Sequence, residues 1–279
     1  MSSLPYLLYT AAQTRELDRL AIEEHGLSSS VLMERAGEAA FSLLRTRWPD
    51  IRRISVFCGS GNNGGDGFVL ARLAYENNFE VSVFQVGESR KLPGDALAAM
   101  QRLSGAGLTT AEFNGQSQLQ AELIVDGLLG TGMHGDVSAE YRQAIDVINA
   151  SPCPVLALDL PSGLNADTGM VCGIAVQAAC TISFIGLKQG LLTGEAVQYC
   201  GELHFSDLNV PKAIYTQLTP AARRLDYARL KKGLQPRPRH AHKGDAGHVL
   251  LIGGDHGMAG ALRLAGEAAL RSGAGLVSL

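Results

Sequence analysis

Short apolar runs that alternate with helical segments are the feature that most constrains the fold of this chain. Each run lies between polar or glycine-rich turns, which is typical of a buried strand. Strands that alternate with helices form a mainly parallel sheet with helices on both faces, joined by right-handed crossovers. We therefore predict a Rossmann-like, doubly wound α/β domain. Its predicted strands are Ile54–Cys58, Val81–Val86, Leu123–Asp126, Val155–Asp159, Thr181–Ile185 and Leu203–Phe205.

Apolar residues at helical spacing predict the helices of this domain. Thr14 is the predicted N-cap of the first helix, and the second is predicted to begin at Ser30. Pro93 lies in the first turn of a helix predicted to end at Leu103, a position that suits proline. Two more helices are predicted over 66–78 and 137–148.

Changes in composition and in the pattern of apolar runs divide the chain into three parts. The sequence predicts a first domain over residues 1–222, a basic and proline-bearing linker over 223–244, and a second region over 245–279. The second region reads as one strand, Val249–Ile252, followed by a glycine-rich turn and a helix over 260–272. A single strand and helix cannot bury their own apolar faces. We therefore expect the second region to be incomplete.

Charge and cysteine content exclude several classes of function. The net charge of −3 gives no electrostatic basis for binding nucleic acid or an anionic membrane. The five cysteines include no C-x-x-C pair, so neither a disulfide framework nor a zinc site is expected. No segment has the pattern of a signal peptide or a membrane span. We expect a cytoplasmic protein.

The segment Gly59–Gly67 (GSGNNGGDG) is the strongest local signal for a binding site. Glycines between a strand and a helix let backbone N–H groups approach a phosphate, and the helix N-terminus adds positive potential. Asp66 is predicted at the helix start, where it caps the helix or binds a ribose or a cation. The segment also contains a G-x-G-x-x-G pattern, and Glu88 follows the next predicted strand. An NAD-dependent dehydrogenase has the same pattern, so that alternative stays open.

Polar residues follow several predicted strands and point to one shared crevice. Asp126 and Asp159 end neighbouring predicted strands, and the carboxyl ends of parallel strands line the ligand site in folds of this type. Asn63, Asp126 and Ser162 offer only oxygen ligands, which suits a hard cation rather than zinc. A second glycine loop follows Asp126, and His134 within it either contacts phosphate, takes part in acid–base chemistry or is simply solvated.

Three long motifs in the same order resemble the NAD(P)H-hydrate epimerase family, also called the YjeF N-terminal domain. They are GSGNNGGDG, DGLLGTGMHGD and LDLPSGLNADTG, and the earlier LMERAG at Leu32–Gly37 also fits. The resemblance covers nearly all of residues 1–220. It implies an enzyme that interconverts the R and S forms of hydrated NADH and NADPH (NADHX and NADPHX), and it implies a homo-oligomer, a dimer or larger.

The resemblance also implies site residues. It implies a potassium ion at Asn63, Asp126 and Ser162, and we take Asp159 as the catalytic residue that moves the proton. The residues implied to contact the hydrated dinucleotide are Asn62, Asn63, Gly64, Gly65, Asp66, Gly130, Thr131, Gly132, Met133, His134, Gly135, Asp136, Tyr141 and Asp159. A non-catalytic nucleotide-binding or interaction module built on the same domain is the second alternative.

The final segment has a resemblance of its own. Residues from Lys243 onward resemble the start of the ADP- or ATP-dependent NAD(P)H-hydrate dehydratase, a ribokinase-like domain that makes the bifunctional parent enzyme also a lyase. Ala261 matches a substrate-contact position of that family. The later nucleotide loop and catalytic aspartate of the family have no counterpart in this sequence, so we expect this part to be inactive as a dehydratase.

Overall fold

The computed structural model describes residues 4–87, 92, 94–115, 119–133, 135–233 and 236–279. The chain divides into two compact units, 1–224 and 225–279. The predictions made for Glu88, Pro93 and His134 lie outside the described residues. Within the described ranges, no helix is both long and apolar enough to cross a membrane.

A parallel sheet of seven strands forms the first unit. The strands run in the spatial order β4-β3-β2-β5-β6-β7-β8, and every neighbouring pair is parallel. The predicted doubly wound α/β fold is therefore confirmed. The strand bounds are β2 Arg53–Cys58, β3 Glu80–Gln85, β4 Thr110–Glu112, β5 Leu123–Gly127, β6 Val155–Leu158, β7 Cys180–Phe184 and β8 Glu202–Ser206.

Apolar side chains cover both faces of this sheet. In β2, Val56 and Cys58 belong to one buried cluster, whereas Phe57 between them belongs to another. Successive side chains of a strand point to opposite faces, so a strand buried on both sides is apolar throughout. Helices α1 to α4 contribute to the first cluster and α5 to the second. The helix bounds are α1 Ala11–Glu23, α2 Ser29–Arg47, α3 Asn62–Glu76, α4 Gly94–Gly105 and α5 Ala139–Ala150.

The start of α1 differs from the prediction. Thr10, not Thr14, is the N-cap: its hydroxyl accepts the Gln13 N–H at 3.1 Å, and the Gln13 side chain accepts the Thr10 N–H at 3.1 Å. Thr14 is buried inside the helix, and its hydroxyl donates to the Thr10 carbonyl. The predicted cap was wrong because a reciprocal Thr–Gln capping box satisfies two free N–H groups, one turn earlier.

The chain reverses its direction of winding between β2 and β5. It runs from β2 outward to β3 and β4, then returns to β5 on the other side of β2 and continues outward to β8. The loops that follow β2 and β5 therefore diverge at the carboxyl ends of two adjacent strands. Such a switch point leaves a crevice where open α/β sheets bind their ligands.

Two very short strands close the first unit. Strand β1 (Leu7–Leu8) pairs antiparallel with β9 (Ala222–Arg223), and the Arg224 N–H donates to the Tyr6 carbonyl. This pairing holds the chain beyond residue 222, the predicted end of the first domain, within the first unit. It had no local signal, because its partners lie far apart in the sequence.

The second unit is a β-α-β arrangement rather than the single β-α pair that the sequence predicts. Strand β10 (His248–Leu250) pairs in parallel with β11 (Leu276–Ser278), and helix α7 (Ala259–Arg271) connects them. A four-residue helix, α6 (Tyr227–Leu230), precedes them. Several large apolar side chains of this unit are exposed, among them Leu250, Ile252, Met258, Leu264 and Leu270. Its identity as the start of a ribokinase-like domain stays a prediction.

Candidate active site

A cavity of about 490 Å³ lies at the carboxyl ends of the central strands. Most of its wall comes from α1, from α2, from the start of α3 and from the loops after β5, β6 and β7. The volume lies within the usual range for small-molecule sites. The predicted site residues that line it are Asn62, Asn63, Asp66, Gly130, Thr131, Gly132, Met133, Tyr141 and Asp159.

Helix α3 begins earlier than the sequence predicts. Gly61 is its N-cap, so Asn62 and Asn63 lie in the first turn. The prediction that Asp66 lies at the helix start was wrong, since Asp66 lies beyond the first turn and reaches the cavity from there. The first N–H groups of any helix lack partners within it, and here the first two belong to Asn62 and Asn63, which line the cavity.

Glycine at two positions lets the turn before α3 pack against neighbouring backbone. A Cβ atom on Gly59 would lie 1.8 Å from the carbonyl oxygen of Leu128, in the loop after β5. A Cβ atom on Gly64 would lie 2.0 Å from the carbonyl oxygen of Gly59. Gly64 and Gly65 are buried in α3 and do not line the cavity. These two predicted contact residues therefore serve close packing in this structure.

Asp126 and Ser162 come together beneath the cavity, with Asn63 beside them. The Ser162 hydroxyl donates to Asp126 Oδ1 at 2.6 Å and the Ser162 N–H to Asp126 Oδ2 at 2.8 Å. The Asn63 amide donates to the Leu129 carbonyl at 3.1 Å, while the Leu129 N–H donates to the Ser162 hydroxyl. Burial raises the pKa of Asp126 to about 6, although the bonds from Ser162 and Leu128 oppose that rise. The buried Oδ1 of Asn63 has no hydrogen-bond partner among the described residues.

Asp159 follows β6 and forms an ion pair with Lys188, which follows β7. Both residues line the cavity, but the Lys188 side chain is only 1% exposed whereas that of Asp159 is 14% exposed. Lys188 also donates to the Phe184 carbonyl at 3.1 Å and to the Ser183 hydroxyl at 3.3 Å. Asp159 has a φ of +65°, a left-handed conformation that is uncommon for residues other than glycine. Such outliers cluster at functional sites.

Several lining residues of the cavity were not predicted as site residues. Lys188 follows a strand end, so the reasoning that identified Asp126 and Asp159 would have found it. Asp18 and Arg15 lie on α1, and the Arg15 guanidinium donates to the Thr131 carbonyl at 3.1 Å. Nothing in the local sequence separates these two from other charged residues on an amphipathic helix. Ser60, in the turn before α3, is another of these residues.

The remaining predicted residues lie in different surroundings. The hydroxyl of Tyr141 accepts the Ser60 N–H at 3.1 Å and is 3.0 Å from the Ser60 hydroxyl, which ties α5 to the turn before α3. Gly135 and Asp136 are exposed and do not line the cavity. Ala261 is exposed on α7 of the second unit.

Comparisons with known proteins match this geometry to a family. The sequence model described as "YjeF-related protein N-terminus" matches residues 29–190. The NAD(P)H-hydrate epimerase of Legionella pneumophila is 35% identical over 218 residues, which cover 76% of this chain and 81% of that protein. The chain belongs to this family. The predicted family resemblance is thereby confirmed.

Two longer relatives match almost the whole chain. The bifunctional NAD(P)H-hydrate repair enzyme Nnr of Coxiella burnetii is 48% identical over 273 residues, 98% of this chain and 56% of the relative. The enzyme of the same name from Escherichia coli is 44% identical over 99% of this chain and 53% of its own length. The family member described here thus spans about half the length of these bifunctional relatives.

A solved structure agrees with the fold. The crystal structure of the yeast protein ynu0, YNL200c, matches with a TM-score of 0.64 over 77% of this chain and 95% of that chain. The two share 19% sequence identity, so the similarity concerns the fold alone.

Proposed function

We propose that the first unit is an NAD(P)H-hydrate epimerase, which interconverts the R and S forms of hydrated NADH and NADPH. One observation carries the proposal: the carboxylate of Asp159 faces the cavity at the switch point and is held by the buried ammonium of Lys188. The names of the Legionella and Coxiella relatives indicate the substrate class. A doubly wound sheet with a glycine-rich turn before α3 suits the dinucleotide part of that substrate.

The reaction needs a hydroxyl group to leave C6 of the hydrated nicotinamide ring and to return on the other face. As the C6–O bond breaks, the lone pair of the ring nitrogen forms a C=N bond, which leaves an iminium-like cation. A negative charge fixed in the cavity wall stabilises this cation more than the neutral substrate. Asp159 provides that charge, and its carboxylate accepts a proton from the water that adds back to C6.

The start of α3 and the loop after β5 bind the dinucleotide. First-turn N–H groups and the side chain of Asn62 bind the pyrophosphate, because a helix N-terminus attracts anions. Thr131 and Gly132 face the same cavity from the loop after β5. These residues orient the substrate so that the reacting ring lies near Asp159.

A potassium ion at Asn63, Asp126 and Ser162 is part of the same proposal. Its support is the buried Oδ1 of Asn63, which has no partner among the described residues. Asn63 and Ser162 both form hydrogen bonds with Leu129, and Ser162 also donates to the buried carboxylate of Asp126. Carboxylate, amide and hydroxyl oxygens suit a hard cation. The ion, when bound, supplies a positive charge that holds the loops after β2 and β5 in place.

The direct test uses the purified chain and single epimers. We expect R-NADHX and S-NADHX, incubated separately, to reach their equilibrium mixture faster than in enzyme-free and heat-denatured controls, as measured by chiral chromatography. Neither ATP nor a redox substrate is added. An unchanged rate with folded protein rejects the epimerase. Hydride transfer to an added substrate would instead identify a dehydrogenase, and tight binding without turnover a non-catalytic module.

Three further expectations belong to this proposal alone. They are a homo-oligomer, a cytoplasmic location and, for a protein as long as the bifunctional relatives, the dehydratase activity of a lyase. Size-exclusion chromatography with light scattering tests the first of these directly.

A further inference from the structure

Three carboxyl groups and one ammonium share the wall of the cavity. Asp18 comes from α1, Asp66 from α3, Asp159 from the loop after β6 and Lys188 from the loop after β7. The role proposed above for Asp159 uses only one of the carboxyl groups. The reaction needs a second group, because hydroxide is a poor leaving group unless a proton reaches it as the C6–O bond breaks.

The ammonium of Lys188 is paired with one of the three carboxyl groups, that of Asp159. Lys188 forms its ion pair with Asp159 and directs its other donors to the Ser183 hydroxyl and the Phe184 carbonyl. Asp18 and Asp66 make no hydrogen bond or ion pair with any described residue. Both carboxyl groups line the cavity without a hydrogen-bond partner in the described part of the chain.

Burial and neighbouring charges raise the pKa of the two carboxyl groups that have no ion pair, Asp18 and Asp66. Burial is the largest cause that raises the pKa of Asp18, to about 7, and the nearby Asp159 adds to it while Lys188 and Arg15 oppose it. Asp66 and Tyr215 also face Asp18. Burial, with Asp159 and Asp18 nearby, raises the pKa of Asp66 well above its ordinary value. Asp18 can therefore give up and regain a proton near neutral pH.

We propose that Asp18 is the general acid of the epimerisation, resting on the function proposed above. The Asp18 carboxyl gives its proton to the C6 hydroxyl oxygen, the C6–O bond breaks with its electron pair on that oxygen, and water leaves. The ring nitrogen forms the C=N bond at the same time. Water then adds to the opposite face, its oxygen forms the new C6–O bond, and Asp159 takes the proton that it releases. Exchange with solvent returns Asp18 and Asp159 to their starting states.

The test compares Asp18→Asn with a control from the same helix. Glu23→Gln is the same acid-to-amide change at an exposed position of α1. We expect Asp18→Asn to lower kcat about 100- to 10,000-fold with little change in KM, since the amide keeps the shape but carries no acidic proton. Asp18→Glu should recover part of the loss. Glu23→Gln should match the wild type.

The pH profile of the activity distinguishes a role of Asp18 in proton transfer from a purely structural role. The acid must be protonated to act, so kcat/KM of the wild type should fall as pH rises through about 7, after the enzyme-free rate is subtracted. Asp18→Asn should lack this fall. Should that variant not fold, as judged by urea unfolding, Asp18→Ser takes its place. Wild-type epimerase activity combined with an active Asp18→Asn of unchanged pH profile overturns only this inference, whereas an inactive wild type overturns the proposed function with it.

Discussion

Asp126 lies near the end of β5 and Asp159 directly follows the neighbouring strand β6, but their surroundings differ. Backbone N–H groups and the hydroxyl of Ser162 hold Asp126, which is fully buried. A side-chain ammonium holds Asp159, which faces the cavity. A carboxylate that is buried and bound mainly by backbone donors has a structural role. A carboxylate paired with one side chain and open to a ligand is available for chemistry.

The largest expected effect concerns Asp159, the carboxylate that faces the cavity. Asp159→Asn keeps the shape of the side chain but removes its charge and basicity. We expect kcat to fall about 100- to 10,000-fold, while binding of the dinucleotide, measured by calorimetry, stays near that of the wild type. Asp50→Asn changes an exposed aspartate in the same unit and should have no effect. Full activity of Asp159→Asn would make this residue a structural brace.

The next largest effect concerns Asp126 and the stability of the fold. Asp126→Ala removes the acceptor of the Leu128 N–H, the Ser162 N–H and the Ser162 hydroxyl. Since buried donors without partners each cost roughly 1–3 kcal/mol, we expect unfolding in urea to show a loss of about 2–4 kcal/mol. Asp50→Ala serves as the exposed control.

The free energy of unfolding, measured with and without potassium, tests whether Asp126 binds the proposed ion. A ligand that binds only the folded state raises the free energy of unfolding. Wild-type protein should therefore be more stable in potassium chloride than in choline chloride at equal ionic strength, and Asp126→Ala should show no such difference. An equal potassium effect in both proteins would remove Asp126 from the proposed ion site.

The comparison also indicates how far sequence reasoning reaches. Short apolar runs located the strands of the large sheet from β2 onward, apart from β4, because a strand buried on both faces is apolar throughout. The rule that strand ends converge led to Asp126, Ser162 and Asp159, and the structure places Asp126 in contact with Ser162. The rule applied equally to Lys188, which was missed because the loop after β7 was not considered.

Other features depend on tertiary packing. The glycine-rich segment reads as a loop by propensity, yet α3 begins at Asn62, because glycine at positions such as Gly64 lets the helix approach the backbone of the preceding turn. Asp18 lies on a helix that precedes every strand of the large sheet. Its nearness to Asp159 follows from how α1 packs, which no local pattern encodes.

The smallest expected effect concerns the partner of Asp159. Lys188→Met keeps an unbranched side chain of similar length but removes the ammonium. Without it, the Asp159 carboxylate loses its fixed position, although water in the cavity still solvates its exposed part. We expect kcat to fall about ten-fold, the cost of one weakened charged hydrogen bond in the transition state, with KM nearly unchanged. Lys212→Met, at an exposed position, is the matched control. If Lys188→Met turns over at the wild-type rate while Asp159→Asn does not, the cavity alone holds Asp159 in place, and the contrast between a backbone-bound and a side-chain-bound carboxylate has no catalytic meaning.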